Sequence, residues 1–162
     1  MWSAPRLVLK APLTIPKPGV EPPIGPSPSP FPRYGYALPA TGTQAGELFL
    51  FGGLVRETPR NDLYRFSTRG LMRATLLETG GDIPSPRVGH ASVLASRVLI
   101  VWGGDTKTDP KSEPTSQDDG LYLLNLGVYS IFLVLFRVVI ANIWEMQFLE
   151  SGLVCLCMDH PR

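Results

Sequence analysis

Few side chains able to do chemistry stand close together, and most fall in two places. Asp105, Asp109, Asp118 and Asp119 crowd the stretch DTKTDPKSEPTSQDDG. Grouped carboxylates can hold calcium when they alternate around a glycine at a fixed offset. Lys107 and Lys111 break that pattern, so the expectation is a solvated loop, with these four acids as its candidate protein-binding residues. Further on, Cys155 and Cys157 with Asp159 and His160 could supply part of a zinc site, but no second pair stands at zinc-finger spacing. The chain has two histidines, and no Gly-x-Ser-x-Gly, His-Glu-x-x-His or P-loop pattern. No catalytic residues, metal or cofactor are therefore expected, and no enzyme. A net charge of +1 without a Lys/Arg block gives no reason to expect nucleic acid as a partner. Both cysteines lie near the end, and the N-terminus has no uninterrupted apolar stretch of signal-peptide length. A reducing, cytoplasmic setting is expected.

The elements that must carry these residues repeat. PRYGYALPAT at 32–41 is echoed by PRVGHASVLA at 86–95, LFLFGG at 48–53 by LIVWGG at 99–104, and NDLYRF at 61–66 by DGLYLL at 119–124. Three ordered matches at a period of roughly fifty residues mark a repeat architecture. The apolar runs before Gly52-Gly53 and Gly103-Gly104 are too short for helices and predict strands buried on both faces, each ended by its glycine pair. The glycines allow positive φ and close backbone approach. Pro32 and Pro86 are expected to open the first strand of each unit, the two Leu-Tyr segments give a further strand, and Arg73–Leu77 the fourth of the first unit. A four-stranded antiparallel unit of this length is a propeller blade.

These segments resemble the kelch repeat, with its Pro-Arg-x-Gly-His opening, apolar strand ending in Gly-Gly, Asp-Leu-Tyr strand and outer-strand Trp. The resemblance covers about Pro32 to Leu126. It implies an all-β fold, a partial kelch β-propeller of about two four-stranded blades, and structural roles for Arg33, Gly35, Gly52, Gly53, Tyr64, Arg87, Gly89, His90, Gly103, Gly104 and Tyr122. The segments also look like fungal kelch proteins that mark cell ends, which implies a non-catalytic scaffold binding other proteins, in polarity or cytoskeletal organisation. Copper oxidases share the galactose-oxidase-like fold, but they need a cross-linkable Cys, and none lies inside these repeats. Tyr36 replaces the expected His in the first unit, and Ala74 sits near the missing Trp.

The expected divisions are a Pro-rich extended arm (1–31), the first repeat (32–81), an incomplete second repeat (82–126) and an apolar tail (127–162). Within the arm, Pro16 to Phe31 suits an extended linker or wrapping segment. Its one PxxP, Pro23 to Pro26, has no Arg placed to orient an SH3-type partner. Ser27-Pro28 and Ser29-Pro30 fit proline-directed phosphorylation. After Leu126 the repeat pattern stops, and the tail composition suits translated intron sequence, so the chain is read as a fragment truncated after two repeats. The alternative is a membrane anchor at Leu126–Ile143, with its N-terminal side cytoplasmic. Apolar side chains there favour insertion by roughly 5 kcal/mol, and Arg137 and Asn142 cancel most of that.

Overall fold

The computed structural model describes Ala4, residues 6–106 and 118–127, and the backbone of Ser130–Val134. Among these residues there are nine strands and no helix: β1 (Val8–Leu9), β2 (Glu47–Val55), β3 (Thr58–Ser67), β4 (Arg73–Leu77), β5 (Gly80–Gly81), β6 (Ala91–Ala95), β7 (Val98–Trp102), β8 (Leu121–Asn125) and β9 (Ser130–Val134). They form two sheets, ordered β1-β4-β3-β2 and β5-β9-β8-β7-β6. The orders match once Tyr34 and Ala37 are included, which bridge Leu54 and Phe51 of β2 much as β6 pairs along β7. In each sheet a two-residue strand runs parallel to the outermost strand, β1 on β4 and β5 on β9, while all other pairings are antiparallel. The chain is thus all-β, with two successive blades of one repeated plan.

Alternation along the strands decides what the blades bury. In β2, Phe49 and Phe51 point to one face and Leu48 and Leu50 to the other. The first face, with Leu63 and Leu77, meets Leu99, Val101, Tyr122, Leu124 and Leu126 of the second blade in a shared core. The second face gathers Leu50, Tyr64, Phe66 and Ala74, with Leu7 and Leu9 of the arm packed against them. Each fully buried Phe or Leu contributes about 2 kcal/mol. The first blade is therefore sandwiched, which is why its central strand β2 reads as a continuous apolar run and not as a polar–apolar alternation.

Several local features differ from the expectation. β2 does not stop at its glycine pair: it runs through Gly52-Gly53 to Val55, with a register shift between Phe51 and Gly53. The positive φ of both glycines bends the strand without ending it, and only Gly103-Gly104 follows a strand that has stopped. Pro32 and Pro86 precede the first strands and do not open them. That strand is reduced in the first unit to the bridges at Tyr34 and Ala37, and in the second it begins at Ala91. Val55 pairs with Thr58, leaving Arg56 and Glu57 as a two-residue turn with φ of 49° and 63°. This is the hairpin turn whose twist matches the flanking strands.

The arm is docked, not loose. Besides β1, Leu13 N–H donates to the Leu76 carbonyl at 2.8 Å, and Glu78 N–H donates to Leu13 at 2.8 Å. Beyond Leu126, where the repeat pattern stops, the backbone of β9 takes the outer-strand position beside β8. That strand also lies within the window expected of a membrane span. No helix among the described residues is long and apolar enough to cross a membrane, and residues 135–143 lie outside the described residues, as does the rest of the tail.

Candidate interaction surface

Each blade is locked by one buried arginine. The Arg87 side chain is fully buried. Its Nε donates to the Ser85 carbonyl at 3.2 Å, Nη1 to the Gly103 carbonyl at 2.9 Å and Nη2 to Asp118 Oδ2 at 2.6 Å. The guanidinium lies 5.1 Å from the centre of the Tyr122 ring, whose hydroxyl donates to the same Asp118 oxygen at 2.8 Å. Arg33 repeats the arrangement: Nε donates to Pro30, Nη1 to Gly52 and to Asp62 Oδ1, and Nη2 to Asp62 Oδ2 at 2.8 Å, over the Tyr64 ring. A planar guanidinium can satisfy two carbonyls, a carboxylate and a ring face together, which a lysine cannot. The two cages tie the opening turn, glycine pair and Leu-Tyr strand of each unit together.

The electrostatics follow. Burial works against ionisation of Asp118. Hydrogen bonds from Tyr122, the Gly120 amide and Ser85, and the Arg87 charge, outweigh it and hold its carboxyl below the usual carboxylate range. Burial, then the hydrogen bond to Asp118, pushes Tyr122 up to about 12. His90 is pushed down to about 4, chiefly by burial and then by the Arg87 charge. The Phe51 carbonyl offsets this weakly, and neither ring nitrogen has a well-aligned hydrogen-bond partner.

Gly53 and Gly104 pack against the opening turn of their own unit, and Gly52-Gly53 also meet the next unit. A Cβ on Gly53 would stand 2.8 Å from the Tyr34 carbonyl and the Tyr36 amide, and one on Gly104 would stand 2.7 Å from the Val88 carbonyl. Gly53 N–H donates to the Arg87 carbonyl, Arg87 N–H to Arg60 and Gly89 N–H to Gly35, so the second unit's opening turn is sewn to the first blade. Gly52 is crowded by Arg87 and His90 of the next unit, whereas no described residue comes within 4 Å of a Cβ on its equivalent Gly103.

The four acids separate. Asp118, expected in a solvated loop, instead turns inward as the partner of Arg87, because a fully buried guanidinium needs a counter-charge. Asp105 and Asp119 are exposed, Asp105 exchanging backbone hydrogen bonds with Val88. Asp109 lies outside the described residues, as do Cys155, Cys157, Asp159 and His160. No group of three or more metal-ligating side chains occurs among the described residues. Around the same opening turns, Tyr34 is 53% exposed and its hydroxyl donates to Glu57 at 3.1 Å. Arg60 is half exposed beside Asp62. Tyr34, Glu57, Arg60, Asp105 and Asp119 thus border the turns as a mixed-charge rim. At the other end of the strands, a groove of about 780 Å³ opens between the blades, with Phe49, Leu94 and Leu126 along its floor and Glu47 and Arg97 at its sides.

Sequence reasoning missed Asp62, although it stands two residues before Tyr64 in the Asp-Leu-Tyr segment. It also missed the structural use of Ser27. That side chain is buried, with its hydroxyl donating to the Lys10 carbonyl at 2.6 Å and accepting from Leu76 N–H at 3.0 Å. As a phosphorylation site Ser27 is closed, while Ser29 is exposed.

No family model matches the chain. It is 39% identical over 95 residues to Tip elongation aberrant protein 1 of Schizosaccharomyces pombe, covering 58% of this chain and 8% of that protein. It is 32% identical over 104 residues to Kelch repeat-containing protein 2 of Saccharomyces cerevisiae, covering 62% and 12%. Rho GTPase-activating protein gacHH of Dictyostelium discoideum is 37% identical over 78 residues, which are 48% of this chain and 5% of that protein. The matched segment therefore spans between 5% and 12% of the length of these relatives. The duplicated arginine cages, the glycine pairs packed on the opening turns and these likenesses give the chain its resemblance to kelch-repeat proteins, fungal ones among them.

Proposed function

We propose that the chain is a non-catalytic scaffold that binds other proteins through the rim of Tyr34, Glu57, Arg60, Asp105 and Asp119. The observation that carries this reading is where the reactive side chains go. Arg33, Arg87, Asp62, Asp118, Tyr64 and Tyr122 are all engaged in locking each blade internally, while the exposed groups are loop side chains suited to recognition. The relatives support it: the matched segment is a small part of proteins with very different names, Tip elongation aberrant protein 1 and a Rho GTPase-activating protein among them. A segment shared in that way behaves as an interaction module. The finer reading, a role in cell polarity or cytoskeletal organisation, rests on the fission-yeast relative whose name refers to tip elongation.

Proximity labelling with the parent chain and with a Tyr34→Ala, Asp119→Lys double variant tests the reading. The variant is expected to lose a defined set of labelled proteins while keeping its melting temperature. An unchanged set in a folded variant would rule out the rim.

A further inference from the structure

Residues 15–26 of the arm are exposed without a break and include Pro16, Pro18, Pro22, Pro23 and Pro26. Two aliphatic side chains stand bare in this stretch, Ile24 at 97% and Val20 at 64% exposure. A segment of this kind would ordinarily be a loose spacer, yet both ends are anchored. Ile15 N–H donates to Glu78 Oε2 at 3.1 Å, and Lys17 Nζ to Glu78 Oε1 at 2.6 Å. Val20 N–H closes a turn on the Lys17 carbonyl at 3.1 Å, and Ser27 N–H returns the chain to Lys10 at 2.7 Å. Between them, Glu21 to Pro26 make no hydrogen bond with the other described residues. Proline fixes φ near −65°, so this stretch offers a ridge of pyrrolidine rings and unpaired carbonyls already close to polyproline geometry.

Charge narrows the partner. Lys17 is neutralised by Glu78, and Glu21, next to the proline pair, has no ion-pair partner among the described residues. The ridge is therefore locally acidic.

We propose that residues 20–26 are a tethered ligand for a proline-recognising domain, one whose aromatic groove takes Pro22 and Pro23, with an apolar pocket for Ile24 and a basic group facing Glu21. Anchoring both ends removes much of the ordering cost that a free proline-rich peptide carries into such a groove. The site lies along the outer strand β4 of the first blade, apart from the mixed-charge rim, and stands whether or not the rim binds anything.

The test is calorimetric titration of the intact chain against purified proline-recognising domains of two sorts, with acidic or with basic residues flanking the aromatic groove. Binding to at least one basic-flanked domain is expected. It should weaken by about tenfold or more with Ile24→Asp and with Glu21→Lys, and stay unchanged with Tyr34→Ala on the rim. A free peptide of residues 15–27 should bind about tenfold more weakly than the chain. Because Ile24 and Glu21 are exposed, these variants should keep the parent far-ultraviolet dichroism and melting temperature, which separates lost binding from lost fold. No binding to any domain, preference for acidic-flanked grooves, indifference to Ile24→Asp, or a free peptide as tight as the chain would each overturn the proposal.

Discussion

Asp118 and His90 make the fold acid-sensitive for different reasons. Asp118 is bonded to the fully buried Arg87 guanidinium, so Asp118→Asn leaves Arg87 without its counter-charge and is expected to cost about 3 kcal/mol, read from the urea midpoint. His90 sits neutral between the blades. Its folded pKa of about 4 lies below the ordinary 6.5, so its stabilisation is complete above pH ~6.5 and is lost as pH falls towards 4, by about 3 kcal/mol in all. The carboxyl of Asp118, also lowered on folding, adds a further loss at still lower pH. His90→Phe should flatten the stability profile between pH 6.5 and 4 while leaving that lower fall in place. A parallel downward slope in the variant would show that another group titrates there. The glycines give a second contrast. Gly53→Ala and Gly104→Ala push a methyl into backbone atoms under 3 Å away, and each should cost several kcal/mol. Gly103→Ala meets only the penalty of its φ of 68°, about 1 kcal/mol.

Two short segments tune the first blade. The Arg56-Glu57 turn holds two non-glycine residues at positive φ, each at a cost of roughly 1 kcal/mol. Replacing the pair by Asn-Gly should raise stability by about 1 kcal/mol, seen as a higher melting temperature, at the expense of the Tyr34–Glu57 hydrogen bond. The arm is pinned by Ser27, whose hydroxyl serves the Leu76 amide on the outer strand. Ser27→Ala leaves that amide unpaired and should cost about 1–2 kcal/mol, with faster hydrogen exchange at Leu76 than at Leu50 as its signature.

The two blades are halves of one core. Phe49, Phe51, Leu63 and Leu77 are covered only when Leu99, Val101, Tyr122 and Leu124 lie on them. A chain ended after Thr79 should therefore aggregate instead of forming a stable blade, as expected where each repeat buries its faces on its neighbour. Gel filtration and dichroism of that shortened chain check this, and a soluble, cooperatively melting monomer would contradict it. The far side of the second blade carries Val93 and Trp102, 42% and 40% exposed, at strand positions matching the covered face of the first.

The strands β2, β3, β4, β6, β7 and β8, the duplication and the all-β class are legible in the amino-acid sequence alone. Short apolar runs, paired glycines and Leu-Tyr segments are local signals, and they recur in order. Arg73–Leu77 forms the outer strand of the first blade over the same residues that its composition indicates. What the sequence leaves open is every choice made between distant segments. Four aspartates lie between β7 and β8, and only the position of the buried Arg87 selects Asp118 as its partner. Gly52 and Gly103 are equivalent in their units, yet one is crowded and the other open, because crowding belongs to the neighbouring blade. The arm reads as a spacer by composition, since prolines forbid a helix but say nothing about docking. Its place was decided by the free edge of β4, whose amides and carbonyls had to be paired.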